Sequence, residues 1–105
     1  MEATDQLFTL GIWTIKPGRE EEFIRKWDEF ATWTSENQQG AGQAHLIQDV
    51  EAPNRLISFG PWQSPENIAA WRATREFAQF LEKARELCEE IQPLTLKAVA
   101  QVGKP

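Results

Sequence analysis

The 105-residue chain contains no tyrosine, a single cysteine (Cys88) and a single histidine (His45). Without tyrosine, no phenol is available as a proton carrier or hydrogen-bonding acid, so any chemistry must use other groups. One cysteine excludes an intrachain disulfide and a thiolate metal cluster. One histidine excludes a histidine-rich metal site and a helical HExxH motif, and no metal site is expected. No apolar run approaches the roughly 20 residues that span a bilayer, and the opening MEATDQ lacks a basic, apolar leader pattern. Positive charge is scarce as well. The net charge is −5, and no basic patch points to nucleic acid. These absences favour a cytoplasmic chain with neither a membrane nor a nucleic acid as partner.

Aromatic carbon is plentiful: five tryptophans and six phenylalanines. The stretch FGPWQSPENIAAWRATREF, residues 59–77, holds two of each. The length and the composition, 41% hydrophobic and 26% charged, fit one globular domain over residues 1–105. The order of elements follows from periodicity and punctuation. Residues 7–16 read as a strand ended by Pro17-Gly18. Both alternate sets in it are apolar: Phe8, Leu10 and Ile12 on one side, and Leu7, Trp13 and Ile15 on the other. A strand with one solvated face would alternate with polar residues, so both faces of this one should be covered. Residues 19–35 read as a helix, with Glu20, Glu21 and Glu22 at its positive end and Phe23, Trp27, Phe30 and Ala31 on one stripe. Trp33 lies off that stripe and would pack under the next loop or against a second subunit.

After the loop at 37–42, residues 43–51 and 55–62 read as a hairpin around Ala52-Pro53-Asn54. Ser64-Pro65 is a helix start for residues 65–71. A longer helix is expected over 74–91, with Phe77, Leu81, Ala84, Cys88 and Ile91 at helical spacing and Pro93 closing it. Residues 94–102 alternate as a last strand. The order βαββαβ is that of a ferredoxin-like α+β fold, a four-stranded antiparallel sheet with its helices on one face. The bare apolar face would be buried against a second copy, giving a homodimer.

With that order in place, the chain resembles the antibiotic biosynthesis monooxygenase family of dimeric α/β barrels. The resemblance rests on Ile15-Lys16-Pro17-Gly18 followed by Glu20-Glu21-Glu22-Phe23, on Gly40-Ala41-Gly42, on Trp62-Gln63-Ser64-Pro65-Glu66 and on Trp71, Phe77, Phe80 and Leu81. It implies a pocket between helices and sheet that takes a small, flat, hydrophobic aromatic or phenolic molecule. Some members of the family oxidise such molecules with O₂ and no cofactor; others degrade haem. The haem-degrading branch has an Asn and a His where this chain has Gly11 and Leu81, so haem is not expected and the cofactor reading is none. The quinone-forming branch has a strand Trp and a polar residue four positions earlier, matched here by Trp62 and Ser58, together with tyrosines that this chain lacks. Fold does not fix function. A non-catalytic binding or stress-response module of the same fold is the alternative to a cofactor-free monooxygenase.

The candidate residues carry two readings each. Trp62 and Trp71 are core at a strand-to-helix corner, or walls that stack on a ligand, or both. Trp13 and Trp27 lean towards core, and Phe77 and Leu81 would complete the apolar lining. His45 is a strand histidine or the general base of the pocket, with Ser58 as its polar companion. Arg72 and Arg75 are solvated or hold an anionic substrate group. Cys88 is expected to be an inert, buried thiol.

Overall fold

The computed structural model describes residues 5–104. Its elements are β1 (Leu7–Ile15), α1 (Glu20–Asn37), β2 (His45–Gln48), β3 (Arg55–Trp62), α2 (Pro65–Arg72), α3 (Arg75–Leu87) and β4 (Cys88–Lys97). The strands form one sheet in the order β2-β3-β1-β4, with every neighbouring pair antiparallel. This is the ferredoxin-like α+β arrangement expected from the element order.

Local chemistry accounts for the boundaries. Gly18 takes φ +87°, which the turn after β1 requires and which a residue with a Cβ resists. The three glutamates then occupy the first turn of α1. Ser64 caps α2 by accepting from the Asn67 N–H at 3.1 Å, with Pro65 at the first helical position. Thr74 caps α3 by accepting from the Phe77 N–H at 3.1 Å.

The helices pack on one face of the sheet. Trp13, Ile15, Phe23, Leu56, Ala84, Leu87 and Cys88 form the core between the layers. Phe23 and Leu87 have no exposed surface. Trp33, the tryptophan that left its helical stripe, stacks on Phe30 at 6.1 Å.

The last third of the chain departs from its predicted boundaries. Helix α3 ends at Leu87, and β4 starts at Cys88 with no intervening loop. Cys88 and Ile91 are strand residues, and Pro93 lies inside the strand opposite Gly11. A register shift between Thr14 and Ile15 explains the misreading: Ile15 pairs with Cys88 and Thr14 with Glu90, which leaves Glu89 as an extra residue. In a regular strand, positions three apart face opposite ways. The bulge turns both Cys88 and Ile91 inward and so imitates helical spacing. β4 is an edge strand, where proline is tolerated. It ends at Lys97, short of the expected Val102. The strand expected over 43–51 shrinks to His45–Gln48.

Both faces of β1 are apolar, as its sequence implies. Opposite the helices stand Phe8, Leu10 and Ile12, flanked by Ile57 and Phe59 on β3 and Leu94 and Leu96 on β4. Ile47 and Leu96 of this open face are 50% and 41% exposed.

Candidate functional site

Between the helices and the sheet lies a cavity of about 740 Å³. Its floor comes from β1 and β3, with Thr9, Gly11 and Trp13 on one strand and Ser58, Gly60 and Trp62 on the other. Its roof comes from Trp27, Phe30 and Thr34 of α1 and from Trp71, Phe77 and Phe80.

Three tryptophans shape it through one repeated device. An enclosed indole N–H needs an acceptor. The Trp13 N–H donates to Ser58 Oγ at 2.9 Å, that of Trp62 to Thr9 Oγ1 at 3.0 Å, and that of Trp71 to Thr34 Oγ1 at 3.0 Å. Each bond fixes a ring and leaves the hydroxyl proton free to point elsewhere. Gly11 makes the first bond possible. A Cβ there would stand 2.8 Å from the Trp13 ring, so only glycine lets the indole fold back along its own strand to reach Ser58.

Part of the roof is a run of near-parallel rings. Phe30 stacks on Phe80 at 4.6 Å with 6° between planes, and on Trp71 at 5.7 Å with 19°. Trp71 also meets Trp62 at 4.9 Å and the edge of Phe77 at 4.8 Å. Offset and edge-to-face pairs of this kind add about 0.5–1.5 kcal/mol each beyond area burial. The tryptophans of the 59–77 stretch are therefore packed core and cavity wall at once.

The Gly40-Ala41-Gly42 loop closes one side. Ala41 bridges to Trp62, and the Gly42 N–H donates to the Pro61 carbonyl at 2.9 Å. The charged residues in the lining are Asp28, Glu36 and Arg72. Arg72 reaches across from the end of α2 and donates from Nη2 to Thr95 Oγ1 on β4 at 2.8 Å.

Of the residues singled out from sequence, Ser58, Trp62, Trp71, Trp13, Phe77, Leu81 and Arg72 come together here. Arg75 and His45 do not line the cavity. His45 pairs with Phe59 across β2 and β3 and stacks on its ring at 5.2 Å, on the open face of the sheet. The reason is strand alternation: its neighbour Leu46 packs against the core, so His45 must point away. Thr9, Thr34, Phe30 and Thr95 were not anticipated. A glycine at position 11 in the middle of a strand, two residues from both Thr9 and Trp13, was the available signal of a close approach. Cys88 is buried, and burial pushes its thiol up to about 11, so it stays protonated at neutral pH. Among the described residues no group of three or more His, Cys, Asp or Glu side chains could hold a metal ion, and no helix is long and apolar enough to cross a membrane.

Comparison with known proteins follows the same lines. Residues 10–83 match the family model described as antibiotic biosynthesis monooxygenase. Among solved structures, the chain resembles SnoaB, a cofactor-independent oxygenase from Streptomyces nogalater. That match has a TM-score of 0.85 and 16% identity, covering 96% of this chain and 100% of that one. A conserved protein from Methanosarcina mazei Go1 matches with a TM-score of 0.80 and 14% identity, over 89% of this chain and 92% of that one. A protein from Pseudomonas aeruginosa matches with a TM-score of 0.78 and 19% identity, over 95% and 100%. At these identities the likeness establishes the fold. Among curated proteins, none matches this chain.

Proposed function

The chain belongs to the antibiotic biosynthesis monooxygenase family, and on that premise we propose that it is a cofactor-independent monooxygenase. Its substrate is a flat, hydrophobic, phenolic aromatic molecule bound in the cavity between helices and sheet. The observation that carries this reading is the aromatic lining with its three indole-anchored hydroxyls. The likeness to a cofactor-independent oxygenase supports it.

Trp62, Trp71, Trp13, Phe77 and Leu81 hold the ring and exclude water. Ser58, polarised by the indole that bonds it, donates to a substrate oxygen as negative charge develops there. An electron-rich, deprotonated ring then reacts with O₂ directly. For an anthrone-type substrate the balance is complete: a ring CH₂ becomes C=O, one oxygen atom enters the product, and the other leaves as water with the two displaced hydrogens. The substrate itself supplies the electrons, so no external reductant is needed. His45 is given no part in proton transfer, because its ring stands on the opposite face of the sheet.

The open face supports a second element of the proposal. Two chains stack sheet to sheet about a two-fold axis and bury Phe8, Leu10, Ile12, Ile57 and Phe59 of each. The compartment is the cytoplasm, consistent with one buried, reduced cysteine.

Conversion of anthrone to anthraquinone, followed by absorbance with and without O₂, tests the activity. Oxygen-dependent turnover that falls at least tenfold in Ser58→Ala is expected. Wild-type rates equal to the protein-free background would remove the enzymatic reading. One observation favours an alternative, a binding module without turnover: the described lining holds neither histidine nor tyrosine. Tryptophan quenching by the aromatic compound with no product formed would select it.

A further inference from the structure

The polar side chains at one edge of the cavity are two threonine hydroxyls and a guanidinium. Thr9 on β1 and Thr95 on β4 are register partners, and both line the cavity. Directly opposed residues on antiparallel strands have Cβ atoms about 4.5–5.5 Å apart, so the two side chains are neighbours on one face. Each already accepts one N–H: Thr9 from Trp62 at 3.0 Å, Thr95 from Arg72 at 2.8 Å. Neither hydroxyl donates to another described residue. Arg72 is exposed, and none of the ion pairs among the described residues includes it, so its remaining N–H groups and its charge are uncommitted. The cavity's two carboxylates, Asp28 and Glu36, belong to α1, whereas Arg72 ends α2.

Resting on the reading of the cavity as an aromatic-binding site, we propose that Arg72, Thr95 and Thr9 form an anion subsite at its mouth, and that the ligand is an aromatic carboxylate. The ring system enters between Trp62 and Trp71, and the carboxylate takes N–H donation from Arg72 and O–H donation from the two threonines. Charge-assisted hydrogen bonds are the stronger ones, and a guanidinium matches a carboxylate with two parallel donors. Thr95 positions Arg72: the 2.8 Å bond holds a long, exposed side chain over the opening instead of leaving it to sample solvent. On a chain of net charge −5, the Arg72 charge supplies a local positive potential that favours the approach of an anion. Arg75, three residues on, does not line the cavity and has no part in the subsite.

The test compares anthracene-2-carboxylate with its neutral isostere anthracene-2-carboxamide, each titrated by quenching of tryptophan emission. Wild type binds the acid about fivefold more tightly than the amide, the factor that one partly solvated charged pair supplies. Arg72→Gln abolishes that preference without changing the affinity for the amide. Arg72→Lys restores part of it, since a point charge replaces a fork. Thr95→Val reduces it, and Arg75→Gln leaves it intact. The preference declines from 20 mM to 500 mM salt. Circular dichroism confirms that each variant is folded. Equal binding of acid and amide by wild type overturns the subsite while leaving the cavity reading in place, as does an equal loss of preference in Arg75→Gln. Binding of neither compound overturns the cavity reading together with the subsite.

Discussion

The two faces of the sheet both carry apolar residues along β1 and are opposite in construction. The helix-covered face mixes large rings with hydroxyls and mid-strand glycines, and the indole N–H groups of Trp13, Trp62 and Trp71 each have a hydroxyl partner. The open face carries aliphatic and phenyl groups in its middle, with His45 stacked flat on Phe59 and Gln92 opposite Ile12 among its polar members. A face meant only to exclude water needs area. A face meant to hold a ligand needs area plus a few oriented donors and an unfilled volume. The contrast separates a cavity with oriented donors from an open apolar face without reference to any relative.

Substitutions that act on one face and spare the other sharpen the contrast. Phe23 is fully buried under the helix layer. Phe23→Ala should cost about 3–5 kcal/mol of stability, read by urea denaturation. On the open face, Leu10→Glu should leave the chain folded but place a charge in the paired sheets, converting a dimer of about twice 12.0 kDa into monomers by sedimentation. If Leu10→Glu unfolds the chain as thoroughly as Phe23→Ala, the two faces are not distinct. Gly11→Ala comes next in size. The added methyl meets the Trp13 ring, so an overpacking cost of about 1–3 kcal/mol is expected. A shift of Trp13 emission as its bond to Ser58 breaks should accompany it.

Two smaller effects depend on pH. Burial raises the Cys88 thiol to about 11. The unfolded chain ionises first as pH rises through the ordinary thiol range, so stability should decline from there up to about 11. Cys88→Ala should remove that part of the decline, and at pH 8 an alkylating reagent should react with the native thiol only as fast as the chain opens. The smallest effect lies on the helix surface. Hydrogen bonds from Arg19 and then from Lys83 hold the Glu22 carboxyl below its usual value. Its contribution is present above the ordinary carboxylate range and fades as pH falls through the lowered value. Glu22→Gln should flatten that acid limb slightly.

Much of this could be read from the residues, and what could not has identifiable causes. Ser64-Pro65 marked a helix start because a cap is local chemistry. The apolar double face of β1 was visible because alternation within one strand needs no partner. The end of α3 was hidden because a bulge gave Cys88 and Ile91 a spacing of three, which helix and bulged strand share. The face of His45 was hidden because β2 is only four residues long, and its orientation is set by pairing with β3. The indole–hydroxyl pairs were hidden because their partners are 37 to 53 residues apart in the chain.

The most direct test of the central claim, that the helix-covered cavity is the ligand site, is a ¹H–¹⁵N spectrum of the indole and histidine side chains during titration with a flat aromatic acid. The largest shifts should fall on the Trp62 and Trp71 indoles, with Trp33 and His45 nearly still. Shifts centred on His45, with Trp62 and Trp71 unmoved, would place the ligand on the open face and contradict the account.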